Sequence, residues 1–100
     1  MVSYSRLTDR GAVERAIGEF ERLGRDSFLH EHDFGKAREY FLVTDRGSFD
    51  SKAIFGVAYG YQHGEQLTSN EFHGGRRGAA GRLAELGFVI TGINDFDRGE

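Results

Sequence analysis

The sequence predicts an α+β fold: one small domain in which about four helices pack on a three-stranded, mainly antiparallel sheet, in the order α-α-β-β-α-α-β. Three observations carry this. Apolar residues recur at helical spacing in three separate stretches, an aromatic and β-branched run is broken by Asp45-Arg46-Gly47 and then resumes, and strands and helices mix without the alternation of a parallel sheet. At 100 residues the chain suits a single domain, with a core expected over residues 7–93 and a polar tail at 94–100.

In LTDRGAVERAIGEFERLG, the residues Val13, Ala16, Ile17, Phe20 and Leu23 mark one helix face. Thr8 or Asp9 is placed to cap its start, and Gly24 to stop it. Phe28 and Leu29 sit in a short second helix over Arg25 to His32, ended by Asp33-Phe34-Gly35. Arg38 to Thr44 reads as a strand that pairs, across the Asp45-Arg46-Gly47 turn, with an extended run at Ser48 and Phe49. Asp50 or Ser51 then caps a third helix through Ala53, Ile54, Val57, Ala58 and Tyr61, closing between Gly60 and Gly64. Thr68 and Glu71 have capping-box spacing, so helix formation is expected to restart there, pause at Gly74-Gly75 and run from about Arg76 to Leu86, with Gly87 as the stop. FVITGI, residues 88–93, reads as a buried strand.

Composition narrows the function. With 38% apolar residues, nine Phe, four Tyr and no Trp, aromatic rings must supply much of the buried area. The absence of cysteine excludes disulfides, thiolate zinc sites and a cysteine nucleophile. No apolar run approaches the roughly 18 residues of a membrane span and no basic-then-apolar leader opens the chain, so a cytoplasmic setting without membrane contact is expected. The net charge is −3, yet it is unevenly spread. Residues 1–34 carry five Arg against seven acids, residues 35–82 seven Lys/Arg against five acids, and residues 83–100 one Arg against four acids. The middle is mildly basic between acidic ends.

Three constellations could carry chemistry. Asp50-Ser51-Lys52 has the acid-x-Lys form of a magnesium-dependent nuclease site, with Asp45 as the second carboxylate it would need; as the bland alternative, Asp50 is a helix cap. Gly74-Gly75-Arg76-Arg77-Gly78 opens a helix. Its glycines allow close backbone approach, the N–H groups of a helix start attract anions, and paired guanidinium forks suit phosphate; otherwise it is a helix start with solvated charge. It lacks the spacing and the Lys-Ser/Thr ending of a mononucleotide loop. Lys36, Arg38, Arg46, Lys52 and Arg82 extend the patch if the third and fourth helices share a face. The third constellation, His30, His32, His63 and His73, lacks i, i+4 ligand spacing and an HNH pattern, and reads as solvated surface histidine with no metal or cofactor. No nucleophile elbow marks a Ser-His-Asp triad.

With those residues set out, the order GRDSFL, FGKAREYFLV, FDSKAIFGVAYG and LTSNEFHGGRRGAAGRLAELGFVI resembles the N-terminal head domain of McrA-like (ScoMcrA-like) HNH restriction endonucleases of actinomycetes, over about Leu7 to Ile90. The most specific parts are the Phe-Asp-Ser-Lys-Ala-Ile block holding Lys52 and the Phe-x-Gly-Gly element holding Gly74 and Gly75; Arg76-Arg77 has no assigned place in that pattern. The resemblance implies that other domains read modified DNA and that a C-terminal HNH domain cleaves it. This chain would then be a non-catalytic accessory module of a restriction system, contacting DNA or joining other domains or subunits.

The expected function is therefore contact with the DNA phosphate backbone through Lys52, Gly74, Gly75, Arg76, Arg77, Arg82 and Arg46. The rivals are a protein–protein module or homodimer built on exposed aromatics such as Tyr59, Tyr61 or Phe96, and the nuclease using Asp45, Asp50 and Lys52.

Overall fold

The computed structural model describes residues 2–95. The elements follow the expected order: α1 (Arg10–Leu23), α2 (Arg25–His32), β1 (Phe41–Thr44), β2 (Gly47–Asp50), α3 (Ser51–His63), α4 (Ala79–Glu85) and β3 (Val89–Ile90). Short 3-10 turns lie at Tyr4–Arg6 and Ser69–Glu71. The three strands form one antiparallel sheet in the order β2-β1-β3, with Leu42 opposite both Phe49 and Ile90.

Helix α1 starts where its sequence says it should. Asp9 accepts the Gly11 N–H at 2.8 Å, and the Gln62 side chain clamps the entry by accepting the Thr8 and Asp9 N–H groups at 3.0 and 3.1 Å. Its apolar face, Val13, Ala16, Ile17 and Phe20, packs on α3. Helix α3 is buried on most sides, Ala53 to Tyr59 being inaccessible, because it lies between α1, α2, α4 and the sheet. The buried side chains form one cluster. Aromatic contacts run through it: Phe20 meets Phe28 at 4.8 Å and Phe49 edge-on at 5.1 Å, and Phe55 meets Phe72 at 5.5 Å.

Boundaries shift in three places. Strand β1 begins at Phe41 rather than near Arg38. Strand β3 ends at Ile90 because the chain turns at once: the Asn94 side chain accepts the Ile90 N–H at 2.6 Å and Asp95 accepts that of Gly92, whose φ is +84°. Helix α4 begins at Ala79, three residues later than expected, and at Thr68 a single 3-10 turn forms in place of a helix, with the Glu71 carboxylate accepting the Thr68 N–H at 2.7 Å. Asp50 occupies the cap position of α3 without its side chain bonding the helix. The expected polar tail begins within the described residues; positions 96–100 lie outside them.

Candidate nucleic-acid interface

Lys52 stands in the first turn of α3, where the helix dipole disfavours a cation. Its partners are internal. The aliphatic stem lies on Gly74, where a Cβ would come within 3.0 Å of it, and Nζ donates to the Ser69 carbonyl at 2.7 Å, 5.1 Å from the centre of the Phe72 ring. Burial lowers its pKa from the ordinary 10.5. Lys52 thus joins α3 to the 69–74 segment.

The glycine cluster also works differently from the expected phosphate cradle. Three N–H groups around the start of α4 are already bonded: Gly78 to the Gly75 carbonyl at 2.9 Å, Ala79 to that of His73 at 2.9 Å, and Gly81 to that of Gly75 at 3.3 Å. A Cβ on Gly78 would lie 2.3 Å from the His73 oxygen and one on Gly81 1.9 Å from that of Arg76. These glycines let the backbone fold onto itself.

The cluster separates two clefts. One, of about 420 Å³, is lined by Arg76, Arg77 and Arg82 together with Ser3, Tyr4, Ser5 and Glu85. Arg82 is spent on structure, donating to the carbonyls of Leu7 at 2.9 Å and Ser5 at 3.3 Å and pairing with Glu85 at 3.0 Å. Arg76 is exposed and donates once, to the Gly92 carbonyl at 2.7 Å; Arg77 is exposed and makes no ion pair among the described residues. The other cleft, of about 320 Å³, is lined by Ala37, Arg38, Glu39, Tyr40, Ser51, Lys52, Gly74 and Gly75. Arg38, exposed and without an ion pair among the described residues, is a member that sequence reading treated only as a possible extension of the patch.

The remaining cations do not join this face as open donors. Arg46, at the hairpin turn, pairs with Glu21 of α1 at 3.1 Å, and Lys36 with Asp26 at 3.6 Å. Asp50 is 2% exposed; Arg25 grips both its oxygens at 2.9 Å and the Ala37 N–H donates to it at 2.8 Å. Asp45 sits at the hairpin turn, and the pairing of Phe41 with Asp50 and Thr44 with Gly47 puts Asp50 at the far end of the strand, roughly 10 Å away. The two carboxylates expected to share a magnesium ion are therefore held apart. Among the described residues no group of three or more His, Asp or Glu is placed to hold a metal.

Two expectations about rings are corrected. Tyr59 is only 6% exposed, and the Tyr61 hydroxyl donates to Glu19 while Arg15 covers its ring at 4.1 Å, so neither offers the exposed aromatic of a docking face. Phe96 lies outside the described residues. His32 and His63 are partly buried and bonded within the fold: His32 bridges Glu19 at 3.0 Å and Gln66 at 2.7 Å, and His63 bonds the Arg6 carbonyl at 2.8 Å. Nothing in the spacing of Glu19, His32, Tyr61 and Gln66 marked this network, because its members come from three elements and a loop.

A family model described as "ScoMcrA-like, N-terminal head domain" matches residues 5–92. Among curated proteins and among solved structures, nothing matches the chain. No helix among the described residues is long and apolar enough to cross a membrane.

Proposed function

The chain belongs to the family of ScoMcrA-like N-terminal head domains, and on that premise we propose that it serves a modified-DNA restriction system in the cytoplasm as an accessory module, holding the DNA phosphate backbone without chemistry of its own. Reading of the modified base and cleavage fall to other domains or subunits. One observation carries this reading: Arg38, Arg76 and Arg77 stand exposed without carboxylate partners among the described residues, on two clefts that adjoin at Gly75 and Arg76. A guanidinium fork matches two phosphate oxygens, and neighbouring forks on one face can follow a backbone. The accessory role is supported by Asp50, whose oxygens are taken up by Arg25 and the Ala37 N–H.

Fluorescence anisotropy with a labelled blunt duplex tests it. Binding should weaken steeply between about 50 and 200 mM salt. Arg38→Ala and Arg77→Ala should each weaken it a few-fold whatever the sequence of the duplex. A triple variant lacking Arg38, Arg76 and Arg77 that still binds as the parent does would remove the reading.

A further inference from the structure

The cleft beside Lys52 has a shape that backbone contact alone does not explain. Its lining is mostly apolar at depth, being made of Ala37, the Tyr40 ring, the Lys52 stem and the bare backbone of Gly74-Gly75, with charge at the rim from Arg38 and Glu39. Tyr40 is partly exposed there and is held from several directions. Its carbonyl accepts the Ser51 hydroxyl at 2.8 Å, while the Thr91 hydroxyl accepts the Phe41 N–H at 2.9 Å and donates to the Glu39 carbonyl at 3.1 Å. Glycines flank opposite edges of the ring: a Cβ on Gly92 would come within 3.2 Å of Cε1, and one on Gly75 within 3.9 Å of Cε2. The Tyr40 side chain forms part of the cleft wall.

We propose that this cleft takes one unpaired nucleotide of a single-stranded DNA segment, its base stacked on Tyr40 and edged by the Lys52 stem and the Gly75 backbone, and its phosphate on Arg38. The inference rests on the DNA-contact reading and deepens it. A base inside a duplex has both faces covered by its neighbours, so stacking on an aromatic ring in a cleft selects an unpaired one. Every base has such a face, so little sequence preference follows.

The experiment compares a blunt duplex with the same duplex carrying a short single-stranded tail that contains 2-aminopurine. The tailed duplex should bind about tenfold tighter, and the 2-aminopurine emission should be quenched on binding. In Tyr40→Leu the tailed duplex should fall to the affinity of the blunt one, whereas Tyr40→Phe should keep the advantage. Equal affinity for both duplexes in the parent protein overturns the inference and leaves the backbone-contact reading standing; failure to bind either removes both. An unquenched probe, which is read on the parent protein and needs no variant to fold, also overturns it.

Discussion

Arg25 and Asp50 lie 25 positions apart in sequence, and their pairing is what keeps a carboxylate inside the fold. Without Arg25, the buried Asp50 would retain only the Ala37 N–H. Removing one member of a buried pair typically costs about 3–5 kcal/mol. Arg25 is 40% exposed, so water screens part of the interaction and about 2 kcal/mol is expected. Arg25→Ala should therefore lower the urea midpoint by about 1 to 2 M. Glu19 and Tyr61 set a pH dependence of their own. Burial pushes the Glu19 carboxyl up, but hydrogen bonds from Tyr61 and His32 and the charges of His32 and Arg22 outweigh it, leaving the carboxyl below its ordinary 4.5. That contribution is present above pH 4.5 and is lost as pH falls through the depressed value. The Tyr61 hydroxyl is pushed up to about 12 by burial and by its bond to Glu19, so its contribution is complete below pH 10.0 and is lost as pH rises from there to about 12. Urea midpoints across that alkaline window should fall more steeply in the parent protein than in Tyr61→Phe; parallel curves would contradict the assignment.

Within the elements, glycine serves two opposite ends, and substitution separates them. Gly18 lies inside α1 with nothing within 4 Å of the place a Cβ would take, so Gly18→Ala should stabilise by about 0.4–1 kcal/mol through helix propensity and a less flexible unfolded chain. Gly81 lies inside α4, but its Cβ would collide with the Arg76 carbonyl oxygen. Gly81→Ala must push back the backbone that presents Arg76 and Arg77, and a loss of about 1–3 kcal/mol is expected together with weaker DNA binding. Thermal melts of the two variants should move in opposite directions. This contrast also marks how far elements were legible. The 3.6-residue spacing of Val13, Ala16, Ile17 and Phe20 locates α1 because burial of one face dictates it. The late start of α4 was not legible in the same way. Glycines at 74, 75, 78 and 81 look alike as letters, whether they free a dihedral angle, open a phosphate cradle or admit a neighbouring carbonyl, and only the fold brings the His73 and Arg76 oxygens against them.

At the scale of the whole molecule, the order of elements and the aromatic core follow from patterns along the chain, whereas the fate of each charge depends on what packing places beside it. The sequence shows a basic middle section; it does not show that Glu21, Asp26 and Glu85 meet Arg46, Lys36 and Arg82, or that Lys52 reaches the Ser69 carbonyl. Folding thus pairs three of the seven Lys/Arg of residues 35–82 with carboxylates and turns Lys52 onto a carbonyl, and leaves three, Arg38, Arg76 and Arg77, exposed without a carboxylate partner among the described residues. The two groups make different contributions to binding. Counterion release counts only the phosphates that are neutralised, at about 0.9 per contact. Three contacts give a slope of log K against log salt of roughly −3, where a patch using all seven cations would approach −6. Arg46→Gln should leave that slope unchanged and cost well under about 1 kcal/mol of stability, since an exposed pair contributes little. Arg38→Gln should reduce the slope by about one. A slope near −6, or a loss of one unit in Arg46→Gln, would mean that the ion pairs with Glu21, Asp26 and Glu85 open when DNA arrives, and the division of charge seen in the fold would not govern the interface.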